Sequence, residues 1–103
     1  MYILIVRINS IIWKNQFKDK IEHKHGIFAD EVEEIIFTKP LVRKVEKGNV
    51  KGEDLYHAYG KTEDGRFISV FFIKKPKSSA LPISARVMSS TDKRYYENKK
   101  KKD

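Results

Sequence analysis

Phe67 to Ile73 reads Phe-Ile-Ser-Val-Phe-Phe-Ile, apolar at both odd and even positions. Successive side chains of a strand point to opposite faces, so a strand of this kind needs cover on both sides. Glu63-Asp64-Gly65 sets a tight turn before it, and the basic loop Lys74 to Ser79 follows it. So short an apolar run between turn signals predicts a central strand, and a central strand needs paired neighbours. Asp54 to Tyr59 supplies one candidate upstream. Leu81, Ile83 and Ala85 alternate with Pro82, Ser84 and Arg86 downstream and predict a half-buried strand with Arg86 on its outer face. Leu41 to Glu46, ahead of the Gly48-Asn49 turn, predicts a further strand.

Helices supply the covering layers. Phe17, Ile21 and Lys24/His25 recur at helical spacing over Lys14 to Lys24, with Gly26 as the stop. Phe28, Val32, Ile35 and Ile36 form the apolar stripe of a second helix over Ala29 to Phe37, ended by Pro40. Its acidic residues Asp30 and Glu31 suit the positive end of the helix dipole. Ser89-Ser90-Thr91 predicts the cap of a last helix from Asp92 through Tyr96. Tyr2 to Trp13 reads as one or two short strands broken at Asn9-Ser10. The order predicts an α+β fold: an antiparallel sheet with two N-terminal helices and one C-terminal helix. At 103 residues the chain makes one domain.

The charge is uneven. Residues 1–65 carry 11 basic and 11 acidic side chains, whereas residues 66–103 carry 11 basic and 3 acidic ones. The whole net charge of +8 therefore lies in the C-terminal third, where a polyanion would meet it. A solubilising tail, Lys99 to Lys102, is the alternative reading of the same residues. The apolar start Met1 to Val6 is too short to span a membrane and has no basic residue before it, so a soluble cytoplasmic protein is expected.

Several chemistries drop out. There is no cysteine, no Gly-rich phosphate loop and no Gly-x-Ser-x-Gly elbow. His23 and His25, two apart, lie on different faces of a helix, so neither a metal site nor a cofactor is expected. Acid–base and cation chemistry on a basic surface remains, which is what metal-free RNA cleavage needs. His25, Arg86, Lys93 and Tyr96 are candidates. Each also has a structural reading: His25 as a helix-end residue, Arg86 as a surface or ion-paired side chain, Tyr96 as a core aromatic and Lys93 as a solvated charge.

Ile12-Trp13-Lys14, Lys24-His25-Gly26-Ile27 and Ile35-Ile36-Phe37 form one set of strings. Gly52-Glu53-Asp54-Leu55-Tyr56, Gly60-Lys61-Thr62, Gly65-Arg66 and Ile83-Ser84-Ala85-Arg86-Val87-Met88, then Tyr96, form another. In order and spacing, over Ser10 to Tyr96, they resemble BrnT-type toxins. The resemblance implies a RelE-like fold and a metal-independent ribonuclease toxin of a type II toxin–antitoxin pair that blocks translation and growth. It implies a BrnA-type antitoxin as partner, in a heterotetramer built on an antitoxin dimer, with DNA bound only through the antitoxin. Residues 10–98 would be the toxin domain, 1–9 an N-terminal extension or extra strand, and 99–103 a basic tail. His25, Glu53, Arg86 and Tyr96 would be catalytic; Lys24, Arg66, Lys93 and Arg94 would bind RNA. Leu55 stands where many members carry Arg. A non-catalytic module that binds RNA or the antitoxin on the same fold is the alternative.

Overall fold

The computed structural model describes residues 6–46 and 53–101. In chain order the elements are β1 (Ser10–Ile11), α1 (Asn15–His25), α2 (Ala29–Phe37), β2 (Leu41–Glu46), β3 (Leu55–Lys61), β4 (Phe67–Lys75), β5 (Ser79–Val87) and α3 (Ser90–Lys101). The strands form one sheet in the order β1-β5-β4-β3-β2. β2 to β5 pair antiparallel as the sequence predicts, and β1 runs parallel to β5.

Local chemistry sets the boundaries. Gly26 takes a left-handed conformation, φ 64°, and α1 closes with the Gly26 N–H on the Glu22 carbonyl at 3.0 Å and the Ile27 N–H on the Ile21 carbonyl at 3.4 Å. The Glu31 carboxylate accepts the Phe28 N–H at 3.1 Å, which satisfies a donor at the start of α2. Ser89 Oγ accepts the Asp92 N–H at 3.1 Å, so Ser89 caps α3. The hairpin between β3 and β4 closes through Thr62 and Gly65, with the Gly65 N–H on the Thr62 carbonyl at 2.9 Å.

The central-strand reading holds: β4 lies in the middle of the sheet and both its faces are covered. On one face Ile68, Val70 and Phe72 join Val42, Ala58, Ala80 and Ala85 against Ile21 and Ile27 and the α2 residues Val32, Ile35 and Ile36. α2 comes so close to β3 that a Cβ on Gly60 would sit 2.9 Å from Ile35 Cδ1. On the other face a smaller cluster of Tyr59, Met88 and Tyr96, with Leu41, Phe67 and Tyr95, docks α3.

Two expectations need correction. The alternation expected of β5 is broken: Phe71 pairs with Ser84 but Phe72 with Pro82, so Ile83 is a bulge residue. Leu81 therefore pairs with Ile73 on the α3 face, while Ala85 stays on the helix-pair face and Arg86 opposite it. Second, α3 does not end near Tyr96 but continues through Lys101. Lysine is a good helix former, its cation suits the C-terminal dipole, and Lys99 and Lys100 lie over the Tyr95 and Tyr96 rings. Of residues 1–9, expected as an N-terminal extension or extra strand, the described part lies against the domain. Asn9 donates to the Ser78 carbonyl, and Val6 and Ile8 pack on the helix-side core. Residues 2–5 of the expected Tyr2 to Trp13 strand region, and the Gly48-Asn49 turn, lie outside the described residues.

Candidate functional site

On the α3 face, cross-strand pairing makes two rows. Arg43, His57, Phe71 and Ser84 form one, and Leu41, Tyr59, Ser69 and Arg86 the next. α3 crosses the second row. The Arg86 Nη2 donates to Asp92 Oδ2 at 2.9 Å, and the Ser69 hydroxyl donates to the same oxygen at 3.4 Å. Tyr95 meets Tyr59 with ring centroids 5.2 Å apart. The two guanidiniums lie over aromatic rings, Arg86 over Phe71 and Arg43 over Tyr95, each at 5.2 Å.

His57 sits at the middle of this arrangement and is 2% exposed. Its ring stacks on Tyr59 at 3.7 Å and meets Phe71 at 4.3 Å. Its Nε2 is buried and has no hydrogen-bond partner among the described residues. Burial pushes the imidazole down to about 4; the Asp92 carboxylate opposes that, and Arg43 and Arg86 add to it. His57 is therefore a neutral ring at physiological pH. Burial disfavours the Asp92 carboxylate, but its bond to Arg86, the nearby imidazole, the Arg86 charge and Ser89 together hold it below the usual carboxylate range. Burial raises the Tyr59 hydroxyl.

The arrangement can bind an anion. Arginine stays charged and offers five donors in a planar fork, of which Arg86 gives one to Asp92. Arg86 keeps 45% of its side chain exposed and Arg43 is exposed too, so both heads meet solvent over a layer of rings. No group of three or more His, Asp or Glu able to hold a metal occurs among the described residues.

The eight residues singled out in the sequence fall into three places. Arg86, Lys93, Arg94 and Tyr96 belong to the α3 side. Lys93 Nζ lies 4.3 Å from the Phe67 ring centroid, and Arg94 lines a shallow groove on α3 with Ser90 and Glu97. Tyr96 is buried, edge-on to Phe67 at 6.1 Å, one helical turn from Asp92. Lys24, His25 and Arg66 lie on the opposite side of the sheet. There Arg66 Nη1 donates to both Glu31 oxygens at 2.8 and 2.6 Å, and its Nη2 reaches the Gly26 carbonyl at 3.5 Å. Glu53 is at the far end of β3, ion-paired with Lys75. The fold thus brings Arg86, Lys93 and Tyr96 to one side and separates them from His25 and Glu53.

Sequence reasoning missed Arg43, His57, Tyr59, Ser69, Phe71, Asp92 and Tyr95 as site residues. A signal existed: His57 and Tyr59 are two apart in a strand candidate and so share a face. Only the registers of β3 on β4 and of β4 on β5 show that Arg86 shares that face.

Among the described residues no helix is long and apolar enough to cross a membrane. No family model and no curated protein sequence matches the chain. Among solved structures it is similar to the Brucella abortus ribonuclease toxin BrnT, with a TM-score of 0.55 and 23% identity, covering 79% of this chain and 97% of that one. The α+β architecture of two helices, a mostly antiparallel sheet and a C-terminal helix is thus the fold of a BrnT-type toxin.

Proposed function

We propose that this protein is the ribonuclease toxin of a type II toxin–antitoxin pair and cleaves RNA without a metal ion. The observation that carries the reading is the α3 face: Arg43 and Arg86 stand over a layer of aromatic rings, with a neutral imidazole between their strands. Cleavage of this kind needs cations for the phosphate, a base for the 2′-hydroxyl proton and an acid for the departing 5′-oxygen. Arg86 would hold the scissile phosphate, with Lys93 and Arg94 along the neighbouring strand of RNA and Tyr96 positioning from one turn away. Lys24, His25 and Arg66, on the other side of the sheet, would touch RNA beyond the cleavage point, and Glu53 is the remaining carboxylate candidate. The similarity in fold to a ribonuclease toxin supports the reading.

A BrnA-type antitoxin would neutralise the toxin in the cytoplasm, in a heterotetramer assembled on an antitoxin dimer, and would carry any DNA binding. Inducible expression with and without the neighbouring gene tests this. Growth arrest relieved by the neighbour, with RNA cleavage by the purified protein, is the expected result; no arrest and no cleavage would overturn it. The pairing of Arg86 with Asp92 and of Glu53 with Lys75 favours a second reading, a non-catalytic module that binds RNA or the antitoxin. RNA binding without cleavage would select that one.

A further inference from the structure

His57 is the one buried side-chain polar atom site left without a partner among the described residues. An unpaired buried nitrogen is costly, and native proteins keep such groups where something else is gained. The ring is held between two permanent cations. Arg43 is its cross-strand partner on β2, and Arg86 reaches it from β5 across Phe71, the ring that His57 itself contacts. The other titratable groups near it are Tyr59 on its own strand and Asp92 and Tyr95 on α3. Of these, only Asp92 favours a proton on the ring at neutral pH.

We propose that Arg43 and Arg86 form a binding site for one phosphodiester anion over the His57 ring layer, and that filling this site places a proton on His57. The inference rests on the phosphate-binding reading of Arg86 given above. The physical reason is charge balance. In the free protein two guanidiniums repel a proton on the imidazole and one carboxylate attracts it. A phosphate seated on the guanidiniums offsets the repulsion and leaves the attraction of Asp92 in place. Such coupling is reciprocal: the anion raises the proton affinity of His57, and the proton raises the affinity for the anion. Arg86 can contribute while it keeps Asp92, since one of its five donors serves the carboxylate. Phosphate from RNA and free inorganic phosphate share this chemistry.

The test uses the full chain and a short 2′-O-methyl oligoribonucleotide, which has no 2′-hydroxyl to react. Titration calorimetry near about pH 5, in two buffers of different ionisation enthalpy, should show uptake of roughly half to one proton per oligonucleotide bound. His57→Gln should abolish the uptake, and Arg43→Ala or Arg86→Ala should each weaken binding about tenfold, a loss of about 1.4 kcal/mol. The His57 Cε1–H resonance of the parent protein reports the same event without any variant. It should move to the protonated position on saturation with the oligonucleotide, and with inorganic phosphate if the anion alone suffices. An uncharged nucleoside should leave it unmoved. Equal heats in the two buffers with an unmoved resonance would overturn the proposal, as would unweakened binding by both arginine variants. Because the probe cannot be cleaved, these outcomes are separate from ribonuclease activity. Proton-coupled binding without RNA cleavage sinks only the enzyme reading, and cleavage without coupling sinks only this one.

Discussion

Replacing His57 with leucine should make the fold more resistant to acid. The imidazole is held at about 4 in the folded chain, against an ordinary value of 6.5. A base with a depressed pKa binds fewer protons folded than unfolded, so between these values stability rises with pH. Its full contribution is present above about pH 6.5 and is lost as the pH falls toward about 4. At about 1.4 kcal/mol per pH unit, the gap amounts to about 3 kcal/mol, most of it lost between about pH 7 and about pH 4.5. Urea unfolding of the parent and of His57→Leu at the two pH values measures it. The carboxylates titrate in both proteins, so the difference between the two acid losses isolates the imidazole to first order. The parent should lose about 2 to 3 kcal/mol more than the variant. Equal losses, within about 0.5 kcal/mol, would mean that His57 is not a buried neutral ring.

Arg86→Ala should abolish RNA cleavage and growth arrest in a folded protein, and Arg86→Lys should rescue little, because the charge returns without the planar fork. Undiminished toxicity at equal expression, judged by growth curves and blotting, would remove Arg86 from the phosphate site. Arg66 and Glu31 should behave as a staple between the β3–β4 hairpin and α2. A double-mutant cycle with Arg66→Ala and Glu31→Ala, read by thermal or urea unfolding, should give a coupling of about 1 kcal/mol, because the pair is partly open to solvent. Cleavage should survive EDTA, followed on a gel with a single-stranded RNA; loss of activity restored by a divalent ion would refute the metal-free mechanism.

The elements were largely legible along the chain because they depend on local chemistry. Gly26, the acidic first turn at Asp30 and Glu31 and the serine cap at Ser89 each act within a few residues of themselves. The apolar run of β4, polar only at Ser69 between Phe67 and Ile73, likewise states its own environment: such a strand is stable only between two covering layers. The site was legible only in part. Arg86 could be placed on the outer face of β5 by alternation, and it lies there, because the bulge at Ile83 falls before Ala85 and leaves the last residues of the strand in phase.

Amino-acid order by itself determined the α+β class, the order of helices and strands, the two-sided burial of β4 and the concentration of positive charge in the last third. The fold alone decided which charges meet. Arg43 and Arg86 are 43 positions apart in the sequence and reach one face only through the registers of β2 on β3 and of β4 on β5. Arg66 is turned to the helix pair and held by Glu31. His57 shows the same division. In the sequence it is a lone histidine in a strand, and its neutrality comes from neighbours on three other elements that bury it and repel its proton. Secondary structure follows from interactions within a few residues, whereas a buried group's charge state depends on every charge and ring packed around it, and no local pattern encodes that.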